Sequence, residues 1–240
     1  MKTFYQRHMP HFQPLGYTYF VTFRLANSLP AHVVSELMDE HETEIKKMAV
    51  IDNKKEKTEK YSEAQLNYFE KFDSLLDKYN SSENWLERNE IAKVVFDAIM
   101  FYDKKKYDLI AFTVMPNHVH IVFKPITKPE VVETEFRPTI VGRNSVSSFA
   151  SDGENIEESN SSTYIVTKIL QDLKKYTARE CNKLLGRAGA FWQHESYDHV
   201  VRNEDELQRI VEYVLNNPAK AGLCDANENW KCNYFNPENY

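Results

Sequence analysis

Two periodicities run along the chain. In "GYTYFVTFRLA" (16–26) the side chains at Tyr17, Tyr19, Val21 and Phe23 share one face, the period of a β-strand. A helix is expected after the turn at Pro30, and the charge-dense stretch 36–80, with "DNKKEKTEK" inside it, reads as exposed helix and linker. "ENWLERNEIAKVVFDAIMFYDKKK" (83–106) spaces Ile91, Val95, Ala98, Ile99 and Tyr102 at helical intervals. "YDLIAFTVM" (107–115) returns to a strand, "PN" turns, and "HVHIVF" (118–123) completes a hairpin. A helix over 163–185 places Val166, Ile169, Leu170, Leu173, Thr177 and Leu184 inward, with Lys168, Lys175, Arg179 and Lys183 opposite, interrupted by Asp172. "FWQHESYDHVVR" (191–202) gives a short strand near 197–201. The last helix, "NEDELQRIVEYVLNNP" (203–218), is capped by Asn203 and stopped by Pro218. This order predicts an α+β fold: a ferredoxin-like split βαβ antiparallel sheet with helices on one face and one appended C-terminal helix.

Composition refines the picture. The 240 residues, 42% hydrophobic, suit one domain with insertions at about 36–80 and 127–162. The second insertion is rich in serine and acids, has little apolar periodicity, and is expected to be a long mobile loop. The formal net charge of -6 argues against a generic polyanion binder, yet most acidity falls in these two stretches, leaving the segments around the histidines neutral to basic. No apolar run is long enough to span a membrane and no secretory leader is evident, so a cytoplasmic protein is expected. Three cysteines without C-x-x-C spacing suggest neither a disulfide framework nor a cysteine zinc site.

The candidate chemistry begins with "NHVH". His118 and His120 lie two apart on a strand and therefore share a face, where two neutral imidazoles can bind one ion. On the last helix, Leu207, Ile210, Val211, Val214 and Leu215 form the apolar stripe, and Tyr213 lies roughly 130° from its centre at 3.6 residues per turn. Asn217 follows four residues later on the same side, so an amide oxygen and a phenol meet at the helix's negative end, where they could hold a cation beside a nucleophile. The alternative is a surface tyrosine and an asparagine that ends a helix.

"MPNHVHIVF" (115–123), "FWQHESYDHVVRNEDEL" (191–207) and "YVLNNPAKAGL" (213–223), in this order and with the strand "YFVTFRL" (19–25), together resemble the REP-associated tyrosine transposases of the HUH class of single-stranded DNA nucleases. The resemblance spans about 16–26 and 83–223 apart from the serine-rich loop, and the two insertions depart from the compact family pattern. It implies that His118 and His120 bind Mg²⁺ or Mn²⁺ with Asn217 as third protein ligand. It also implies that Tyr213 is the catalytic nucleophile, forming a covalent 5′-phosphotyrosine and a free 3′-hydroxyl. Tyr176 and Tyr197 are weaker candidates for that role, and no base for Tyr213 is evident.

The implied partner is single-stranded or hairpin DNA, and a homodimer is compatible with it. Arg7, Arg24, Lys168, Lys175 and Arg179 are candidate phosphate contacts, and Trp192 or Phe191 a candidate stacking platform. Two other readings stay open. A metal-dependent phosphoesterase using water would need the histidines but not Tyr213. A non-catalytic, domesticated DNA-binding protein would need neither.

Overall fold

The computed structural model describes residues 4–6, 10–48, 52–78, 84–126, 164–225 and 230–240; Arg7 and the serine-rich stretch 127–162 lie outside the described residues. Among the described residues no helix is long and apolar enough to cross a membrane.

Two short strands, β1 (Phe4–Gln6) and β2 (Pro10–Phe12), pair with each other. The main elements are β3 (Tyr19–Leu25), α1 (Ala31–Lys47), α2 (Lys54–Lys78), α3 (Asn89–Tyr102), β4 (Tyr107–Val114), β5 (His118–Pro125), α4 (Ile165–Leu184), β6 (Trp192–Val200), α5 (Glu204–Lys220) and β7 (Asn233–Phe235). Five strands form an antiparallel sheet in the order β6-β3-β5-β4-β7. Without β7 this is the arrangement of a split βαβ fold, so the mixed α+β sheet read from the sequence is present, extended at one edge.

The sheet separates two apolar layers. On one face Tyr19, Val21, Phe23, Val119, Ile121 and Phe123 pack with Ile91, Val95 and Ile99 of α3 and Val166, Ile169 and Leu173 of α4. On the other, Phe20, Val122 and Ala111 meet Val211 and Val214 of α5 and Phe69 of α2. A register shift between Leu109 and Ala111 lets Ile110 and Ala111 both face this second layer, while Leu109 and Phe112 serve the first. Period-two alternation along β5 then fixes the histidines: Val119, Ile121 and Phe123 face α3 and α4, and His118 and His120 point the other way.

The stretch 36–80 differs most from expectation. It forms two long helices, and α2 buries Ala64, Tyr68, Phe69, Asp73 and Leu76. These residues recur at helical spacing within a charged sequence, giving a narrow apolar stripe that only the second face of the sheet explains. Three smaller corrections follow the same logic. Strand β6 begins at Trp192, because Leu25 pairs with it across the sheet. Leu184, expected inside, is the last residue of α4 and is exposed. Helix α5 continues through Pro218 to Lys220. The proline forfeits one hydrogen bond, but Asn217 and Pro218 are buried and the Ala221 N–H donates to the Asn217 carbonyl at 2.9 Å.

The start of α5 is fixed as read: Asn203 Oδ1 accepts the Glu206 N–H at 2.9 Å, and Glu206 Oε2 accepts the Arg202 N–H at 2.7 Å. Asn203→Ala is expected to cost about 1 kcal/mol of stability, measured as the urea unfolding midpoint, with the slope unchanged.

Candidate active site

Strand pairing assembles the site from three directions. Thr22 stands opposite His120 and Arg24 opposite His118 across β3 and β5. The Thr22 hydroxyl lies 2.7 Å from His120 Nδ1. In the turn before β5, the Asn117 carboxamide donates from Nδ2 to the Leu76 carbonyl at 2.9 Å, which turns its Oδ1 toward His118 Nδ1 at 2.6 Å. An amide oxygen can only accept, so His118 carries its proton on Nδ1 and presents a bare Nε2. Both Nε2 atoms face inward, 3.0 Å apart.

Asp73 of α2 completes the group. Its Oδ1 lies 3.2 Å from His120 Nε2 and 3.7 Å from His118 Nε2, yet accepts no well-aligned hydrogen bond. All three side chains are buried, and their ligating atoms lie within 4.8 Å of one another. Two imidazole nitrogens and a carboxylate oxygen converge here on one point, and a cation satisfies three inward lone pairs better than a single shared proton can. The donor set therefore fits a divalent metal, with one carboxylate and two imidazoles leaving further positions open.

The Tyr213 hydroxyl donates to Asp73 Oδ2, which also accepts from Asn217 Nδ2 at 3.2 Å. Tyr213 thus reaches the histidines of its own chain, its ring 5.7 Å from that of His120 and walled by Phe20 and Phe69. Asn217 Oδ1 is buried and, among the described residues, has no hydrogen-bond partner.

The electrostatics follow from burial and proximity. Burial, with the like charge of the Asp73 carboxylate, pushes the Tyr213 phenol well above its ordinary value. Burial would raise Asp73 too, but His120, His118 and the Tyr213 hydroxyl outweigh it and hold the carboxyl well below the usual range. Burial, then the neighbouring His120, lowers His118 to about 3 despite Asp73. One turn along α2, burial and the Asp73 charge push Asp77 up to about 6.

The structure brings His118, His120, Tyr213 and Asn217 together and adds Asp73, Thr22 and Asn117. Sequence reading missed Asp73 although a signal existed: it lies four residues after Phe69 and three before Leu76, a carboxylate on the apolar stripe of an amphipathic helix. Other candidates fall elsewhere. Trp192 is buried and its Nε1 donates to Thr177 Oγ1 at 2.8 Å, and Phe191 is buried beside it, so both pack in the core and offer no stacking platform. Tyr197 is buried and stacks on Phe69, while Tyr176 packs with the layer on the far face. Lys168, Lys175 and Arg179 lie on the exposed side of α4, across the sheet from the histidines; Lys168 pairs with Asp172 and Arg179 with Glu180.

No family model and no curated protein matches the chain. A solved structure of a REP-associated tyrosine transposase bound to a REP hairpin is similar at a TM-score of 0.43 and 12% sequence identity, over 95% of this chain and 80% of that one.

Proposed function

We propose that this protein cleaves and rejoins single-stranded or hairpin DNA through Tyr213, with a divalent metal held by Asp73, His118 and His120. The observation that carries the reading is the convergence of these three donors with a tyrosine hydroxyl in one buried cluster. Two imidazoles beside one carboxylate favour Mn²⁺ over the oxygen-loving Mg²⁺. The three sequence blocks supply the substrate class, since they resemble single-stranded DNA nucleases at His118, His120, Tyr213 and Asn217, with Asp73 contributed from outside them.

Each residue has a task. Asn117 and Thr22 fix the imidazole rings through Nδ1. The phenolic oxygen of Tyr213 attacks phosphorus; the new P–O bond replaces the P–O3′ bond, and the departing oxygen takes up a proton to become a 3′-hydroxyl. Asp73 Oδ2, which accepts the Tyr213 hydroxyl, orients the phenolic oxygen, and the proton the phenol gives up is balanced by the one the departing 3′-oxygen takes up. A divalent ion at this site supplies Lewis-acid polarisation of the phosphate and a positive charge that favours the phenolate. The covalent linkage conserves the energy of the broken bond, so a 3′-hydroxyl can reverse the reaction and join strands.

The test is a denaturing gel of purified protein with labelled hairpin DNA from sequences flanking its gene, in Mn²⁺ or EDTA. The expected result is a metal-dependent protein–DNA adduct, absent in Tyr213→Phe and in His118→Ala/His120→Ala. Cleavage that persists without adduct in Tyr213→Phe would replace the tyrosine by water.

A further inference from the structure

Beside the histidines, on the same face of the sheet, lies a charge that the tyrosine chemistry does not use. Arg24 is 7% exposed. Its Nη1 donates to Ser28 Oγ at 3.0 Å, its guanidinium stands 5.5 Å from the centre of the Phe72 ring, and among the described residues it has no carboxylate partner. A guanidinium offers five donors, and a buried cation normally faces an anion. Burial depresses Arg24 to about 10, with only the Tyr68 phenol opposing the shift, which still leaves it charged at neutral pH.

Arg24 lines a cavity of about 60 Å³ between the α1–α2 hairpin and β6. One water needs roughly 10–15 Å³, so the space takes several waters or one tetrahedral oxyanion. Val34, Met38 and Phe72 make part of the wall apolar, while Gln193 and Ser196 of β6 also line it. Glu195 also lines it, and the Lys174 amine, pushed down to about 7 by burial against the pull of the Glu195 charge, lies 2.6 Å from Ser196 Oγ. Two links tie the cavity to the Tyr213 centre: Arg24 pairs in register with His118, and Thr22, which holds His120, forms part of the wall.

We propose that Arg24 and this cavity form a subsite for one phosphate group, next to the position where Tyr213 acts. The assignment of that phosphate to a DNA backbone rests on the proposed function; the oxyanion site itself does not. The subsite would hold a phosphodiester next to the reacting one, fixing the register of the strand with charge-assisted hydrogen bonds from a rigid fork.

The test uses the full-length protein in EDTA. Thermal unfolding is followed with and without inorganic phosphate for wild type, Arg24→Lys and Arg24→Met. Phosphate is expected to raise the wild-type midpoint by several degrees and that of Arg24→Met not at all, with Arg24→Lys between them. Without phosphate, Arg24→Met is expected to melt at or above the wild-type temperature, because a buried cation without an anion is removed and an apolar chain of similar reach replaces it. A purely structural arginine gives the opposite pattern, a lower midpoint in Arg24→Met and no phosphate response in wild type, and overturns the proposal; so does an equal response in both. Binding of a short oligothymidylate then separates the sources. A loss of about tenfold or more in Arg24→Met assigns the site to backbone phosphate, whereas unchanged affinity assigns it to free phosphate. His118→Ala/His120→Ala should keep the phosphate response, so failure of the tyrosine chemistry and failure of this subsite give different results.

Discussion

Asp73→Ala is expected to weaken Mn²⁺ binding by at least about 100-fold, beyond the 10–100-fold typical of losing a supporting hydrogen-bond partner. Asn217→Ala should fall within that lower range, because the Asn217 amide reaches the cluster through Asp73 Oδ2. The order of the two effects, read by calorimetric titration, decides between ligand sets. Resemblance implies His118, His120 and Asn217, whereas the geometry favours His118, His120 and Asp73. If Asn217→Ala proves the more damaging, Asp73 is a partner of the tyrosine and not a ligand. Asp73→Asn separates the roles further, since it keeps the shape and one oxygen but loses the charge that holds the cation.

The second large effect is on stability against pH, measured by urea unfolding in EDTA. His118 stays neutral in the folded protein down to about pH 3, whereas an unfolded histidine protonates near 6.5. Between these values the unfolded state binds more protons, so stability is complete above 6.5 and falls as the pH drops toward 3. A shift of that size corresponds to about 5 kcal/mol as an upper bound at 1.36 kcal/mol per unit. Asp77 acts in the other direction. Its folded value is about 6 against about 3.9 unfolded, so its contribution is lost as the pH rises from 3.9 to 6. The two slopes oppose each other between about pH 4 and 6. Wild type should therefore show a plateau there and a steep fall below pH 4, where the depressed Asp73 carboxyl also begins to lose its contribution. Asp77→Asn removes the opposing slope. It should be more stable than wild type at pH 7 to 8 and lose stability continuously from 6.5 downward. An unchanged profile in that variant would show that Asp77 is not pressed by its neighbour.

Much of this was legible because it depends on local period. The alternation in β3 and β5 placed His118 and His120 on one face, and the angular offset of Tyr213 from the apolar stripe of α5 singled it out, although its ring packs at the edge of the second apolar layer, beside Phe20 and Phe69. What escaped depends on long-range packing. Asp73 joins residues 45 and 47 positions away in the chain, and nothing in the local charge pattern of α2 shows which surface its narrow stripe will cover. Asn117 reads as a turn residue, but orienting His118 requires the Leu76 carbonyl, contributed by another element. Trp192 and Phe191, at the entry to β6, suit either packing or base stacking by sequence alone. Once Leu25 pairs with Trp192, they enter the core.

The placement of Asp73 on α2 has a consequence for binding. Asp73, His118 and His120 all lie buried beneath that helix, so under the proposed function an oligonucleotide would reach them only in the fraction of molecules in which α2 has moved aside. Its apparent dissociation constant is the intrinsic one divided by that fraction. A cation gripped by Asp73 makes the fraction smaller, and by reciprocity DNA must loosen the cation by the same factor. Metal and strand, partners in the proposed chemistry, would thus be antagonists in occupancy for as long as Asp73 remained a ligand. The antagonism ends only when a phosphate oxygen takes the place of its carboxylate.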